Sequence, residues 1–140
     1  EPEGQGLARA INTALKQGET TPDEVTYINA HAPSTPFGDL AEIEAVKEVF
    51  GTNSSVKISS TKAITGHGLS LAGSLEATLT ALAIDKGLIP GSANISELDP
   101  KTKGVNILQE TIHEPIEYAL SNSSGFGGAN VSLLFKRYHG

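Results

Sequence analysis

The chain has 140 residues, 10 Lys and Arg against 16 Asp and Glu for a formal net charge of -6, and no Cys or Met. That length suits one domain with a real core, while the acidic balance and the lack of any basic run beyond Lys136-Arg137 exclude nonspecific nucleic-acid binding. Without Cys, no disulfide, thiolate nucleophile or Cys metal cluster can arise within these residues. The longest apolar run, Leu69 to Ile84, falls short of the ~20 residues a membrane span needs and is interrupted by Glu76. No membrane segment is expected and no signal peptide opens the chain; a cytoplasmic setting is expected. The missing Met and the Glu1-Pro2-Glu3-Gly4 start point to a piece of something longer.

Leu7, Ala10, Ile11, Ala14 and Leu15 recur at helical spacing, so a first helix is expected over about residues 6 to 17, stopped by Gly18. Val25 to Ala30 is β-branched and aromatic enough for a strand, and it runs straight into His31. The two prolines of His31-Ala32-Pro33-Ser34-Thr35-Pro36-Phe37-Gly38 predict an ordered loop. Asp39 is then expected to cap a helix in a capping box with Glu42, with Leu40, Ile43, Val46 and Phe50 as its apolar stripe and Gly51 as its end.

Val56 to Ser59 reads as a second strand, and Ser60 to Gly68 as a polar turn carrying Lys62 and His67. From Leu69 to Ile84 Glu76 is the only charge, which predicts a helix that is apolar around most of its circumference and central in the core. This order favours an α/β layered domain in which the loops after the strands share one edge, bringing His31 to the Lys62 and His67 loop. Further on, Val105 to Leu108, Pro115 to Ser121 and Val131 to Arg137 read as strands, and Ser92 to Lys103 as irregular. Between the last two strands lies Gly125-Phe126-Gly127-Gly128, where three glycines in four positions call for unusual backbone angles.

Two histidines and a lysine on neighbouring loops can polarise a carbonyl, stabilise an enolate or move protons. The same residues also serve as structural hydrogen-bonders and a solvated charge, and residue types alone favour that plainer role. No pair among His31, His67, His113 and His139 has the spacing that puts two imidazoles on one metal, so no metal site is expected. A capping box accounts for Asp39, whereas Glu42 could also orient Lys62. The glycine turn precedes a strand rather than a helix, which favours a β-hairpin over a phosphate cradle. Its backbone N–H groups could form half of an oxyanion hole.

Three stretches together carry a resemblance. They are Asn29-Ala30-His31 with Ser34-Thr35-Pro36 and Gly38-Asp39; Ser60-Thr61-Lys62 with Thr65-Gly66-His67; and Asn122-Ser123 with Gly125-Phe126-Gly127-Gly128 and Asn130. In this order they resemble motifs of the β-ketoacyl-acyl-carrier-protein synthases, elongating condensing enzymes of the thiolase fold. The resemblance covers nearly the whole chain and reverses the plainer reading of the histidines. It implies an α/β thiolase-like half-domain, a mixed β-sheet flanked by helices with one buried central helix. Residues 1–140 would be the single C-terminal domain of a longer enzyme whose N-terminal half carries the nucleophilic cysteine.

The implied reaction is the decarboxylative Claisen condensation of an acyl thioester with malonyl-acyl carrier protein in fatty acid or polyketide synthesis. His31 and His67 would match the family's catalytic histidines and Lys62 its active-site lysine. Glu42 and Phe126 would be supporting residues, the latter a gate, with Thr35, Gly127 and Gly128 binding substrate. No cofactor and no metal are implied. The implied partners are an acyl carrier protein with 4'-phosphopantetheine thioesters, the N-terminal half and a second copy in a homodimer, with neither nucleic acid nor membrane. The isolated chain would be inactive. Ala32-Pro33, Ser124 and Ala129 depart from the family pattern, and Ala32-Pro33 removes a hydroxyl that holds the pantetheine arm. The alternatives are a noncatalytic homologue acting as a chain-length-determining partner subunit, which the three ionisable residues argue against, and a stand-alone carrier-binding module.

Overall fold

In the computed structural model, which describes residues 4–140, two helical layers sandwich a five-stranded sheet of order β4-β2-β1-β6-β7. The opening Glu1-Pro2-Glu3, read above as the start of an excised piece, lies outside the described residues. The elements are α1 (Gln5–Gln17), β1 (Val25–Asn29), α2 (Pro36–Phe50), β2 (Lys57–Ser59), α3 (Lys62–Thr65), α4 (Ala72–Lys86), β3 (Leu88–Ile89), β4 (Asn106–Ile107), β5 (Ile112–His113), β6 (Tyr118–Ser124) and β7 (Asn130–Lys136). Strands β4, β2, β1 and β6 run parallel, and β7 returns antiparallel to β6. The two-residue strands β3 and β5 form a separate antiparallel pair, to which the sequence assigns no element.

Helix α1 buries Leu7, Ala8, Ile11, Ala14 and Leu15, and Gly18 closes it with an N–H to the Ala14 carbonyl at 2.9 Å. With α2 it covers one face of the sheet, over Val25, Ile28, Ala30 and Leu120. Helix α4 covers the other face, where Ala83 and Ile84 join Tyr27, Ala119, Ile89 and Ile116. Val25 and Ile28 share a face because the pairing with β6 shifts between Val25 and Tyr27. Beyond that shift alternation holds, so Tyr27 and Asn29 point toward α4 while Ile28 and Ala30 point toward α1 and α2.

Three expectations are corrected. Helix α2 begins at Pro36 and not at Asp39: a proline at the first helical position gives up an N–H that has no intrahelical partner. Thr35 is therefore the cap, its Oγ1 accepting from the Gly38 N–H at 3.2 Å, while Asp39 accepts from the Thr35 N–H at 3.3 Å and Glu42 turns inward. The turn after β2 contains the short helix α3. The apolar run from Leu69 starts as a 3-10 turn, and α4 buries a stripe and not its whole circumference. That stripe is Ala72, Glu76, Thr80, Ala83 and Ile84, whereas Leu71 and Leu82 remain 62% and 49% exposed.

Candidate active site

Strands β1 and β2 are parallel neighbours, so the segments leaving their C-terminal ends lie side by side. The first carries His31 and the second carries Lys62 at the start of α3. The Ala30 N–H still bonds the Ser59 carbonyl at 2.8 Å, which extends the strand register up to His31. Beyond it the backbone turns sharply: Ala32 and Ser34 have φ of 31° and 63°, in the left-handed region that non-glycine residues rarely occupy.

Glu42 holds this turn from below. Its Oε1 accepts from the His31 N–H at 3.0 Å and its Oε2 from the Ala32 N–H at 2.8 Å. Asn122 on β6 donates to the same Oε1 at 3.3 Å, and Ser132 on β7 orients Asn122 through a 2.8 Å bond to its Oδ1. Burial pushes the Glu42 carboxyl above its ordinary pKa, and these donors, with Lys62 further off, pull it back. Of the two roles the sequence leaves open for Glu42, capping box or partner of Lys62, neither is taken up: it forms this backbone clamp.

The Lys62 ammonium pairs instead with Glu76 of α4, and it also donates to the His31 carbonyl oxygen. Both partners of the ion pair are buried. Burial pushes the Glu76 carboxyl up, against the pull of Lys62. Sequence reasoning did not name Glu76 as a site residue, although a lone charge in the otherwise uncharged run from Leu69 to Ile84 is the signal that it needs a buried partner. Asn29 was likewise passed over. Its side chain donates to the Glu76 carbonyl and to Thr80 Oγ1, both at 3.2 Å, tying α4 to β1 beside the ion pair.

Lys62 Nζ lies 3.5 Å from His31 Nδ1, and the His31 and His67 rings stand edge to face with centroids 5.5 Å apart. Burial, then Lys62 and His67, lower the His31 pKa to about 4, so this imidazole is neutral at pH 7. An ammonium can only donate, which assigns His31 Nδ1 as acceptor and its hydrogen to Nε2. His67 is oriented in the same sense, its Nδ1 accepting from the Leu69 N–H at 3.0 Å.

The opposite wall is the β6-β7 hairpin. Gly127 and Gly128 have φ of 83° and 84°, which only glycine adopts without strain, and the Gly125 N–H closes the loop on the Ala129 carbonyl at 2.8 Å. Phe126 projects fully exposed from its tip. A cleft of about 1250 Å³ brings together His31, His67, Thr35 and the glycine hairpin. A smaller recess of about 680 Å³, largely apolar, lies behind the two loops, between α2 and residues 92–99. Among the described residues no group of three or more His, Asp or Glu side chains is placed to hold a metal ion.

A mixed sheet between helical layers, with its site at the carboxyl ends of parallel strands, is the half-domain of the thiolase fold. A β-ketoacyl synthase from Burkholderia phymatum superposes with a TM-score of 0.92 at 34% identity, over 99% of this chain and 34% of that one. A type II polyketide acyl-carrier protein in complex with its ketosynthase gives the same TM-score at 31% identity, again over 99% of this chain and 34% of that one. The beta-ketoacyl synthase C-terminal domain matches residues 1–96, and the chain belongs to that family. Among curated relatives, 3-oxoacyl-[acyl-carrier-protein] synthase 1 of Haemophilus influenzae is 45% identical over 140 residues, which is 99% of this chain and 34% of the relative. The chain thus spans about a third of the length of the curated relatives it matches.

Proposed function

We propose that this chain supplies the two-histidine and lysine side of a decarboxylative condensing site, acting on malonyl carried by an acyl carrier protein in fatty acid or polyketide synthesis. One observation carries the reading: His31 and His67 stand 5.5 Å apart with Nδ1 of each used as an acceptor. On this reading the two imidazoles offer their Nε2–H groups as donors to one oxygen. In the malonyl thioester the carboxylate leaves as carbon dioxide, and its bonding electrons become an enolate whose charge rests on the thioester oxygen. Donors aimed at that oxygen lower the barrier because the charge develops there. The enolate carbon then forms a bond to the carbonyl of an acyl group on a cysteine supplied by the remainder of the enzyme, and the cysteine thiolate leaves. Lys62 is a positioning group for His31 and fixes its tautomer.

The exposure of residues 63–71 and of Leu71 and Leu82 supports the reading that the other two thirds of the enzyme covers this side. On this reading the enzyme is a cytoplasmic homodimer, needs no cofactor, and takes its substrates from 4'-phosphopantetheine thioesters. In the longer protein, His31→Ala or His67→Ala should abolish malonyl decarboxylation while acyl loading on cysteine continues. Loss of loading with decarboxylation intact would overturn the assignment.

A further inference from the structure

We infer that Ser92, with Asn94, is a positioning residue for Lys62. This rests on the reading of Lys62 just given and extends it to a segment that no motif marks. Lys62 is buried, and to reach Glu76 and the His31 carbonyl the backbone from Ser60 to Ala63 must hold one path. That backbone is fixed from outside its own loop at two points. The Ser60 N–H donates to Ser92 Oγ at 3.0 Å, and the Asn94 amide donates to the Ala63 carbonyl at 3.3 Å.

Ser92 is itself anchored to the sheet. Its N–H bonds the Leu108 carbonyl at 2.8 Å, and the Leu108 N–H bonds the Ile58 carbonyl on β2 at 2.9 Å. A buried hydroxyl tied to the sheet edge thus sets where the Lys62 turn leaves β2. Asn94 has a φ of 62°, which asparagine tolerates better than most residues, and this aims its amide back at α3. Inside the turn, Ser60 Oγ accepts from the Lys62 N–H at 3.3 Å, passing the constraint on to Lys62.

The groups facing His31 are Lys62 and His67, with the Glu42 carboxylate against its backbone and Glu76 behind Lys62. Displacing Lys62 therefore shows in the His31 titration, followed by NMR in the 140-residue chain. Lys62→Ala should move it up from about 4 toward the ordinary 6.5. Ser92→Ala and Asn94→Asp, which remove the acceptor and the donor, should each move it the same way by less, and Ser92→Thr should restore it. In the longer protein, Ser92→Ala should lower decarboxylation kcat roughly 2- to 13-fold, the range of one neutral hydrogen bond, with KM unchanged. If Lys62→Ala shifts His31 while Ser92→Ala and Asn94→Asp both leave it in place, the inference is overturned and the site reading survives. If Lys62→Ala has no effect, the site reading itself fails. Asn94 is exposed, so Asn94→Asp keeps the test decisive should Ser92→Ala fail to fold.

Discussion

The two walls of the cleft are built differently. The His31 wall is braced from within: a buried carboxylate clamps two successive N–H groups, a buried ion pair lies beside it, and side chains from four elements converge. The opposite, hairpin wall is exposed, its glycine turn closed by short-range bonds and Phe126 left bare, and beside His67 Leu69 is bare as well. Within this one chain, side-chain geometry is closely braced where burial enforces it and loosely held where the surface stays open. The difference separates a wall held by many buried side-chain bonds from one held by a few local backbone bonds, and local opening is expected first at the second.

The largest effect should come from Glu42→Ala. It strands the part-buried N–H groups of His31 and Ala32 and the buried amide of Asn122, and should cost about 3 kcal/mol in urea unfolding. Glu42→Gln keeps one acceptor oxygen and should cost less. If Glu42→Ala unfolds at the same urea concentration as the parent chain, the braced wall is not held as described.

The pH dependence comes next. Unfolded His31 titrates near 6.5 and folded His31 at about 4, so above 6.5 both states are neutral. Between those values the unfolded chain takes up a proton that the folded chain refuses, and the stability contributed by neutral His31 is lost as pH falls. Because the ring is only half-buried, the loss should be on the order of 1 kcal/mol after solvent screening. The raised pKa values of Glu42 and Glu76 act in the opposite sense, so the contribution of His31 is read as the difference between the parent chain and His31→Gln. The two stability curves should converge as pH falls from 6.5 to 4. A constant difference across that window would mean that His31 is not held neutral.

On the open wall, Gly127→Ala places a Cβ at a φ of 83° and should cost about 1 kcal/mol in the same unfolding assay. A variant as stable as the parent would show that the hairpin takes another conformation. The smallest effect is expected at Leu82→Asn on the bare face of α4. It should change the stability of the isolated chain by less than about 0.5 kcal/mol, yet impair folding or assembly of the longer protein. A large loss in the isolated chain would mean that this face is already covered.

What the sequence revealed follows the range of each interaction. Helix α1, strand β1 and the β6-β7 hairpin were legible because their periods and glycines are local signals. The meeting of His31 with the Lys62 loop followed from parallel strands whose loops share an edge. The start of α2 was misplaced because two prolines read as a break, although one of them sits at the position where a helix tolerates it. The identity of the acid beside Lys62 depends on the angle at which α4 crosses the sheet, a tertiary quantity, so Glu42 was favoured and Glu76 left unassigned. Strands β3 and β5 are two residues each and give no period to read. The brace from Ser92 lies more than thirty residues along the chain from Ser60, in a stretch whose composition says only that it is irregular.

The central claim is that the protein presents both imidazoles as Nε2–H donors. It is tested most directly by long-range nitrogen-proton correlation NMR of the histidine rings at about pH 8, where an ordinary imidazole is uncharged. The predicted result is an Nε2–H tautomer for both His31 and His67, with His31 still neutral when the pH is lowered to about 5. An Nδ1–H tautomer at either ring, or a His31 that gains its second proton near 6.5, would contradict it.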